Sequence, residues 1–383
     1  MAALLLYGDT ERSPAMRHEV PATIIDPFMF AELDGRKVVL TSELERDRIA
    51  RALPEAELLD VFAFGIRQLV QDGLSYEQAE TEVVLRALRH LEISDTYVPG
   101  NFPVVIADRL RAGGIAVTVD DEAVNARRRG KSGPELDGIR IAQRAAEAGM
   151  AAAAALLADS EPRPDGRLYL DGDPLTAERV RAALRSACAA NGAPCPPDVM
   201  VGSVWQGYGH EPGAGPLPAG LPIVIDLWPR EESTGCWADM TRTFTVGEPA
   251  PEFAEALRER ERLVRTALED ARAAVRPGVT GGELYAATCD LFETAGFPTL
   301  RRSAEGETRD GFQFMLGHGV GLEVHEHPLL GASGRSPLVE GDVIAVEPGL
   351  WDGRLGDVRF EDLLLVTADG CETLTRYSYD LHP

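Results

Sequence analysis

The sequence predicts an α+β protein in two parts: a smaller α/β domain over residues 1–130 and a larger domain built on antiparallel sheet over residues 131–383. Three observations carry this. The first third alternates short apolar strands with amphipathic helices. Beyond it, strands and helices are interspersed without strict alternation, which favours an antiparallel sheet. Between the two lies Arg127-Arg128-Arg129-Gly130-Lys131-Ser132-Gly133-Pro134, a charge run merging into turn residues. A chain of 383 residues has the length for two domains.

In the first part, Leu4-Leu5-Leu6-Tyr7, Ala22-Thr23-Ile24-Ile25, Lys37-Val38-Val39-Leu40, Leu58-Leu59-Asp60-Val61 and Ile115-Ala116-Val117-Thr118-Val119 read as strands. Helical periodicity marks residues 42–53, where Ser42 and Glu45 have capping-box spacing, and returns over residues 75–91 and 106–112. This part holds no convincing catalytic constellation. Pro134 suits the first turn of a long, Ala-rich helix over residues 135–158, whose small side chains predict close helix packing. A helix is expected over residues 174–190, a strand over 199–204, and a buried strand at Ile223-Val224-Ile225-Asp226-Leu227. A turn-rich stretch then leads to a returning strand over residues 236–246. Helices follow over residues 251–274 and 280–295, and strands over 343–347 and 358–366.

Composition narrows the function. Apolar residues make up 44% of the chain, enough for buried cores. A formal charge of −24 argues against nucleic acid and anionic membranes as partners, because both need a basic footprint. Lysine occurs only at Lys37 and Lys131. The five cysteines, Cys188, Cys195, Cys236, Cys289 and Cys371, show neither zinc-knuckle spacing nor a secretory framework. The start lacks the basic region of a signal peptide. The longest apolar run, residues 150–158, falls short of the roughly 20 needed to span a bilayer. A reducing, cytoplasmic location is the expectation.

The chemistry lies in the second part. Asp226 ends an apolar strand, where an ionised carboxylate is costly without a partner, although a turn cap is also a common use of Asp. Asp239, in Ala238-Asp239-Met240-Thr241-Arg242-Thr243-Phe244, falls on one strand face with Thr241 and Thr243; that face could also be solvated. His318 lies in Gly317-His318-Gly319-Val320-Gly321, where glycines permit close backbone approach. His325 and His327 follow, with Pro328 excluding a zinc-protease helix. Three of seven histidines within ten residues point to a site. Glu347 ends a strand and enters Pro348-Gly349. Arg359 and Glu361 alternate on one strand, as a surface ion pair or as an Arg orienting a ligand carboxylate. If these groups converge, two carboxylates about 4 Å apart repel by roughly 4 kcal/mol at an effective dielectric near 20. Four need cations. Oxygen and imidazole ligands suit Mn, Co, Fe or Zn, and bridging carboxylates would hold two such ions at the roughly 3.5–4 Å used for hydrolysis.

These words resemble the pita-bread metallopeptidases, the fold of methionine aminopeptidase, aminopeptidase P and prolidase. Residues 238–244 are similar to the family's Ser-Asp-Ile-Thr-Arg-Thr-Phe, residues 318–325 to its His-Gly-x-Gly-x-x-x-His. Val346-Glu347-Pro348-Gly349 and Arg359-Phe360-Glu361-Asp362 match its last two words. The similarity runs from Lys131 to the C-terminus; the first third is similar in size and texture to the creatinase-like domain of the prolidase branch. The resemblance implies two divalent ions (Mn, Co or Zn) held by Asp226, Asp239, His318, Glu347 and Glu361. In it Asp226 binds one ion through both oxygens, Asp239 and Glu361 bridge, and His318 and Glu347 each hold one. Glu347 would also be the general base, His325 would stabilise the oxyanion, and His210, in Gly209-His210-Glu211-Pro212, would sit near the leaving nitrogen. Arg359 and His327 would contact substrate or support the ligands.

The resemblance further implies an exopeptidase cleaving Xaa-Pro bonds of dipeptides or peptide N-termini, acting as a homodimer. The extra N-terminal domain favours this branch over methionine aminopeptidase. Two departures stand out: residues 227–238 form a loop a couple of residues longer than usual, and Trp228 stands where smaller residues are typical. Both bear on pocket shape rather than on the ligands. A metal-free creatinase-like hydrolase and a non-catalytic binding protein on the same fold are the alternatives; both predict eroded ligand positions, whereas all five are intact.

Overall fold

The structure, a computed structural model, describes residues 2–304 and 308–383, and the chain divides into two units, Met1–Arg128 and Arg129–Pro383. The division falls inside the arginine run. Arg127 pairs with Glu19 and Glu32 in the first unit, and in the second Arg129 pairs with Asp342 and Lys131 with Glu326.

The first unit is a six-stranded mixed sheet with helices. Its strands are β1 (Ala3–Gly8), β2 (Phe28–Leu33), β3 (Arg36–Thr41), β4 (Glu57–Asp60), β5 (Asp95–Val98) and β6 (Ala116–Val119), in the order β4-β3-β2-β1-β5-β6. Its helices are α1 (Pro14–Glu19), α2 (Glu43–Ala52), α3 (Ile66–Gln71), α4 (Tyr76–His90) and α5 (Val104–Ala112), with α6 (Asp121–Arg129) leading out. Two expectations are corrected, and one strand was missed. Residues 22–25 are not a strand: Ile24 bonds to the Thr10 backbone and hydroxyl instead of a ladder. Ser42 sits at the N-cap of α2 but its side chain makes no capping bond, and Glu45 instead pairs with Arg48 at 3.0 Å. The central strand β2 went unread, although Asp34-Gly35, both at positive φ, is a hairpin signal between two apolar runs.

The second unit begins with α7 (Gly133–Ala158), opened by a Ser132/Glu135 capping box with Pro134 in its first turn. Small strands β7 (Glu161–Pro162), β8 (Leu168–Leu170) and β9 (Asp173–Pro174) precede α8 (Ala177–Ala190). That helix starts later than expected because Thr176 is its cap. Close packing of α7 is confirmed at Gly149, where a Cβ would lie 2.5 Å from Cys188 Sγ on α8. This pair covers an antiparallel sheet of β10 (Met200–Gly202), β11 (Ile223–Leu227) and β12 (Met240–Phe244). A second pair, α9 (Pro251–Ala274) and α10 (Gly281–Thr294), packs on a larger antiparallel sheet. Its strands are β13 (Gly317–Gly319), β14 (Glu326–Leu330) and β15 (Val343–Val346), then, after the hairpin β16 (Gly349–Asp352) and β17 (Gly356–Arg359), β18 (Asp362–Val366) and β19 (Cys371–Thr373). The strand expected over residues 358–366 is therefore two. The chain leaves the hairpin after Arg359 and joins the large sheet at Asp362, and the Glu361 amide meanwhile bonds to Thr241 O at 3.1 Å. Among the described residues no helix is long and apolar enough to cross a membrane.

The long loop between the aspartates folds on itself. Ala238 N donates to Pro229 O at 3.0 Å, and the 7%-exposed Glu231 accepts from the amides and hydroxyls of Ser233 and Thr234. Burial alone would push the Glu231 carboxyl up, but these bonds hold it below the usual carboxylate range. Its stabilisation is therefore complete above that range and is lost as pH falls through the folded value. Glu231→Gln should destabilise the protein by about 1–3 kcal/mol at neutral pH. Urea unfolding at neutral pH and again in acid should show the gap close; an equal gap at both would refute the charge-assisted turn.

Candidate metal centre

The two sheets supply the site between them. Asp226 lies on the central strand β11, opposite Met200 and Thr241, in a strand buried on both faces. Asp239 directly precedes β12 and is 4% exposed, so the solvated-face alternative fails. Residues 228–238 close their own turn, and the two aspartates are thereby returned to adjacent strands despite the longer loop.

His318 is the middle residue of β13, and its glycines have specific causes. A Cβ at Gly317 would meet Ala345 O at 1.9 Å and one at Gly319 would meet His327 O at 2.4 Å. The backbone is thus wedged between β14 and β15 with no room for side chains. The His318 ring is 3% exposed, with Nδ1 3.1 Å from Gly319 O. That contact assigns the proton to Nδ1 and leaves the Nε2 lone pair facing Asp239 Oδ2 at 3.7 Å and Glu347 Oε1 at 3.6 Å. Burial, with His325 beside it, pushes His318 down to about 3, so the ring is neutral and able to act as a ligand.

Glu347 follows β15, its amide bonded to Leu316 O at 2.8 Å. Glu361 is 1% exposed; Oε2 accepts from Thr241 Oγ1 at 2.7 Å, while Oε1 is buried with no hydrogen-bond partner. Burial and the neighbouring carboxylates hold Asp239 and Glu361 well above the usual range, and burial pushes Glu347 up to about 7 against the pull of Arg359. Arg359 Nη2 donates to Asp226 Oδ2 at 2.9 Å and Nη1 to Glu347 Oε2 at 3.3 Å. Burial opposes its charge, but Asp226, Asp357 and Glu347 hold its pKa above the ordinary value. The surface-pair alternative for Arg359 and Glu361 is thus excluded.

The five expected ligands converge. One potential ligand atom from each residue lies within 4.8 Å of the others in three sets: Asp226, Asp239 and Glu361; His318, Glu347 and Glu361; and Asp239, His318 and His325. Clustered carboxylates, a buried carboxylate oxygen without a donor and an imidazole lone pair fit a divalent cation. His325 meets His318 edge-on with ring centroids 4.2 Å apart, and the His210 ring lies 6.4 Å from that of His325. His327 is exposed on β14 and lines neither cavity described below.

A cavity of about 270 Å³ holds the cluster itself, bounded also by Asp198, Trp228 and Val324. A larger one, about 440 Å³, meets it at His210, His318, His325 and Glu347 and is walled by Met200, Tyr208, Val224, Phe314 and Trp351. Sequence reasoning missed Asp357, which lines this cavity and stands 3.6 Å from Arg359. Burial raises its pKa. Strand alternation carried one step back from Arg359 points to it. Thr241, which holds Glu361, was seen only as a strand-face neighbour of Asp239.

Residues 137–368 match metallopeptidase family M24. Among curated relatives, the Xaa-Pro dipeptidase of Pyrococcus furiosus is 37% identical over 159 residues, 42% of this chain and 41% of the relative. The probable dipeptidase PepE of Mycobacterium bovis is 33% identical over 207 residues, 53% of this chain and 50% of the relative. The matched stretch thus spans about half the length of these relatives or less. Among solved structures, the prolidase of Pyrococcus horikoshii superposes with a TM-score of 0.76 at 22% identity, covering 100% of this chain and 95% of that one. The Xaa-Pro dipeptidase of Bacillus anthracis gives 0.78 at 21% identity, covering 99% and 94%. These likenesses show the fold, the pita-bread fold read from the sequence words. With the family match covering more than half of its length, the chain belongs to metallopeptidase family M24.

Proposed function

We propose that this protein is a dinuclear-metal exopeptidase that hydrolyses the Xaa-Pro bond of dipeptides or of peptide N-termini. The observation that carries the reading is the convergence of Asp226, Asp239, His318, Glu347 and Glu361 into overlapping ligand sets. Likeness to the Xaa-Pro dipeptidases of Pyrococcus furiosus and Bacillus anthracis supports the substrate class. Asp226, Asp239, His318, Glu347 and Glu361 would together hold two divalent ions among Mn, Co and Zn, which suit this donor set. When bound, they would polarise the scissile carbonyl and make a water acidic enough to lose its proton near neutral pH.

The chain's own groups do the rest. Glu347 takes the proton of the attacking water and passes it on towards the leaving nitrogen. His325, beside His318 and open to the cavity, donates a hydrogen bond to the oxyanion that develops on the carbonyl oxygen. His210 lines both cavities, next to where the leaving nitrogen and the substrate would lie. Arg359 orients Asp226 and Glu347 by donating to both. The wall formed by Met200, Val224, Phe314 and Trp351 receives the apolar flanks of the substrate. The same reading places the enzyme in the cytoplasm as a homodimer; five cysteines without a disulfide are compatible with a reducing setting.

A panel of Xaa-Pro, Xaa-Pro-Yaa and Met-Xaa peptides, assayed with Mn, Co and Zn, tests the substrate. Only proline-containing peptides should be cleaved, a chelator should abolish activity, and Mn or Co should restore it. No cleavage of either proline class by fully loaded protein would sink the proposal. Asp239→Asn should lower bound metal and activity together. Metal analysis of the purified protein also decides against the metal-free, creatinase-like alternative if two equivalents are found. His325→Ala should lower kcat by about 10²–10³-fold with little change in KM, as for loss of one oxyanion donor. A rise in KM alone would instead make His325 a substrate-binding group.

A further inference from the structure

We propose that the buried Lys131–Glu326 ion pair is a positioning device for His325. The inference rests on the peptidase reading above and concerns two residues that this reading does not use. The two side chains are 3% and 2% exposed and in direct contact, although Lys131 precedes Glu326 by 195 positions. Lys131 is anchored: it stands next to Ser132, whose capping box with Glu135 fixes the start of α7, the helix that covers β11 and β12. Glu326 is the first residue of β14 and the immediate neighbour of His325. The pair therefore ties the histidine to the helix behind the aspartate-bearing sheet.

The turn between β13 and β14 is built around this contact. A Cβ at Gly321 would stand 2.8 Å from both Glu326 Oε1 and Lys131 Nζ, so the last glycine of Gly317-His318-Gly319-Val320-Gly321 makes room for the pair. Glu326 Oε2 lies 3.4 Å from the Glu323 amide, and Gly321 N bonds to Glu323 O at 3.0 Å. Trp237 N, two residues before Asp239, donates to Gly321 O at 2.8 Å. Residues 321–326 are thus held at one end by Trp237, in the segment before Asp239, and at the other by Lys131. A buried ion pair adds little net stability, because desolvation consumes most of the Coulombic gain; what it retains is a defined geometry. Here that geometry decides where the His325 ring stands relative to His318 and Asp239.

The test compares Glu326→Gln, Lys131→Met and the double variant Lys131→Met/Glu326→Gln, which leaves no uncompensated charge and so remains available if a single variant fails to fold. Each is made with His325 present and in a His325→Ala background, and steady-state kinetics on an Xaa-Pro peptide are read together with metal content and Tm. Expected is a loss in kcat of about tenfold to a hundredfold with KM and metal content unchanged, as for a small misplacement of a catalytic group. In the His325→Ala background the same changes should have almost no further effect on kcat. Folded variants with normal kcat, or a loss that persists in full without His325, overturn the proposal. Failure of the unaltered, metal-loaded protein to cleave any Xaa-Pro peptide would overturn the peptidase reading instead, and the two failures are distinguishable.

Discussion

The constraint behind this structure is the mutual repulsion of four carboxylates brought together away from water. At about 4 Å and an effective dielectric near 20, each pair costs roughly 4 kcal/mol. The protein compensates only in part. Arg359 is shared among Asp226, Glu347 and Asp357, Thr241 donates to one oxygen of Glu361, and His318 is kept neutral by burial. One Glu361 oxygen is left without a donor. A site built this way is complementary to divalent cations, and the surrounding fold must hold it together.

Much of that holding falls to Arg242. The side chain is 1% exposed, pairs with Asp362 at 2.9 Å and donates to the carbonyl oxygens of Glu361 and Ser378 at 2.7 and 2.8 Å. It joins β12, just past Asp239, to the segment where the chain crosses from the β16–β17 hairpin into the large sheet. That crossing turns Glu361 toward the aspartates. The arginine in the Met240-Thr241-Arg242-Thr243 word is therefore structural in its contacts and functional in its consequence. The same economy applies to the glycines around His318: they allow three strands to approach so closely that the imidazole has one position available.

Departures from the usual family pattern are absorbed locally. The loop between Asp226 and Asp239 folds into a turn that Glu231 closes, and β12 begins directly after Asp239. Trp228 faces the smaller cavity. The larger cavity beside it is walled by Tyr208, Phe314 and Trp351.

The sequence by itself pointed to Asp226, Asp239, His318, Glu347 and Glu361 as candidate ligands, because carboxylates at the ends of apolar strands and a histidine among glycines are costly placements and their words resemble those of a metallopeptidase family. Most helices were legible as well, since periodicity and caps are local signals, and the chain divides within the arginine run. Much of what the sequence left out depends on groups that act through partners remote in the chain. Residues 22–25 lost their strand to Thr10, the strand expected over residues 358–366 broke where Glu361 meets Thr241, and Lys131 and Glu326 find each other only once α7 lies behind the sheet. His327 shows the reverse case, a residue adjacent to the motif that the turn of the strand directs outward. Which side chains converge, and which neighbours hold them there, was decided by tertiary packing alone, since desolvation and charge pairing depend on distance in space rather than on spacing along the chain.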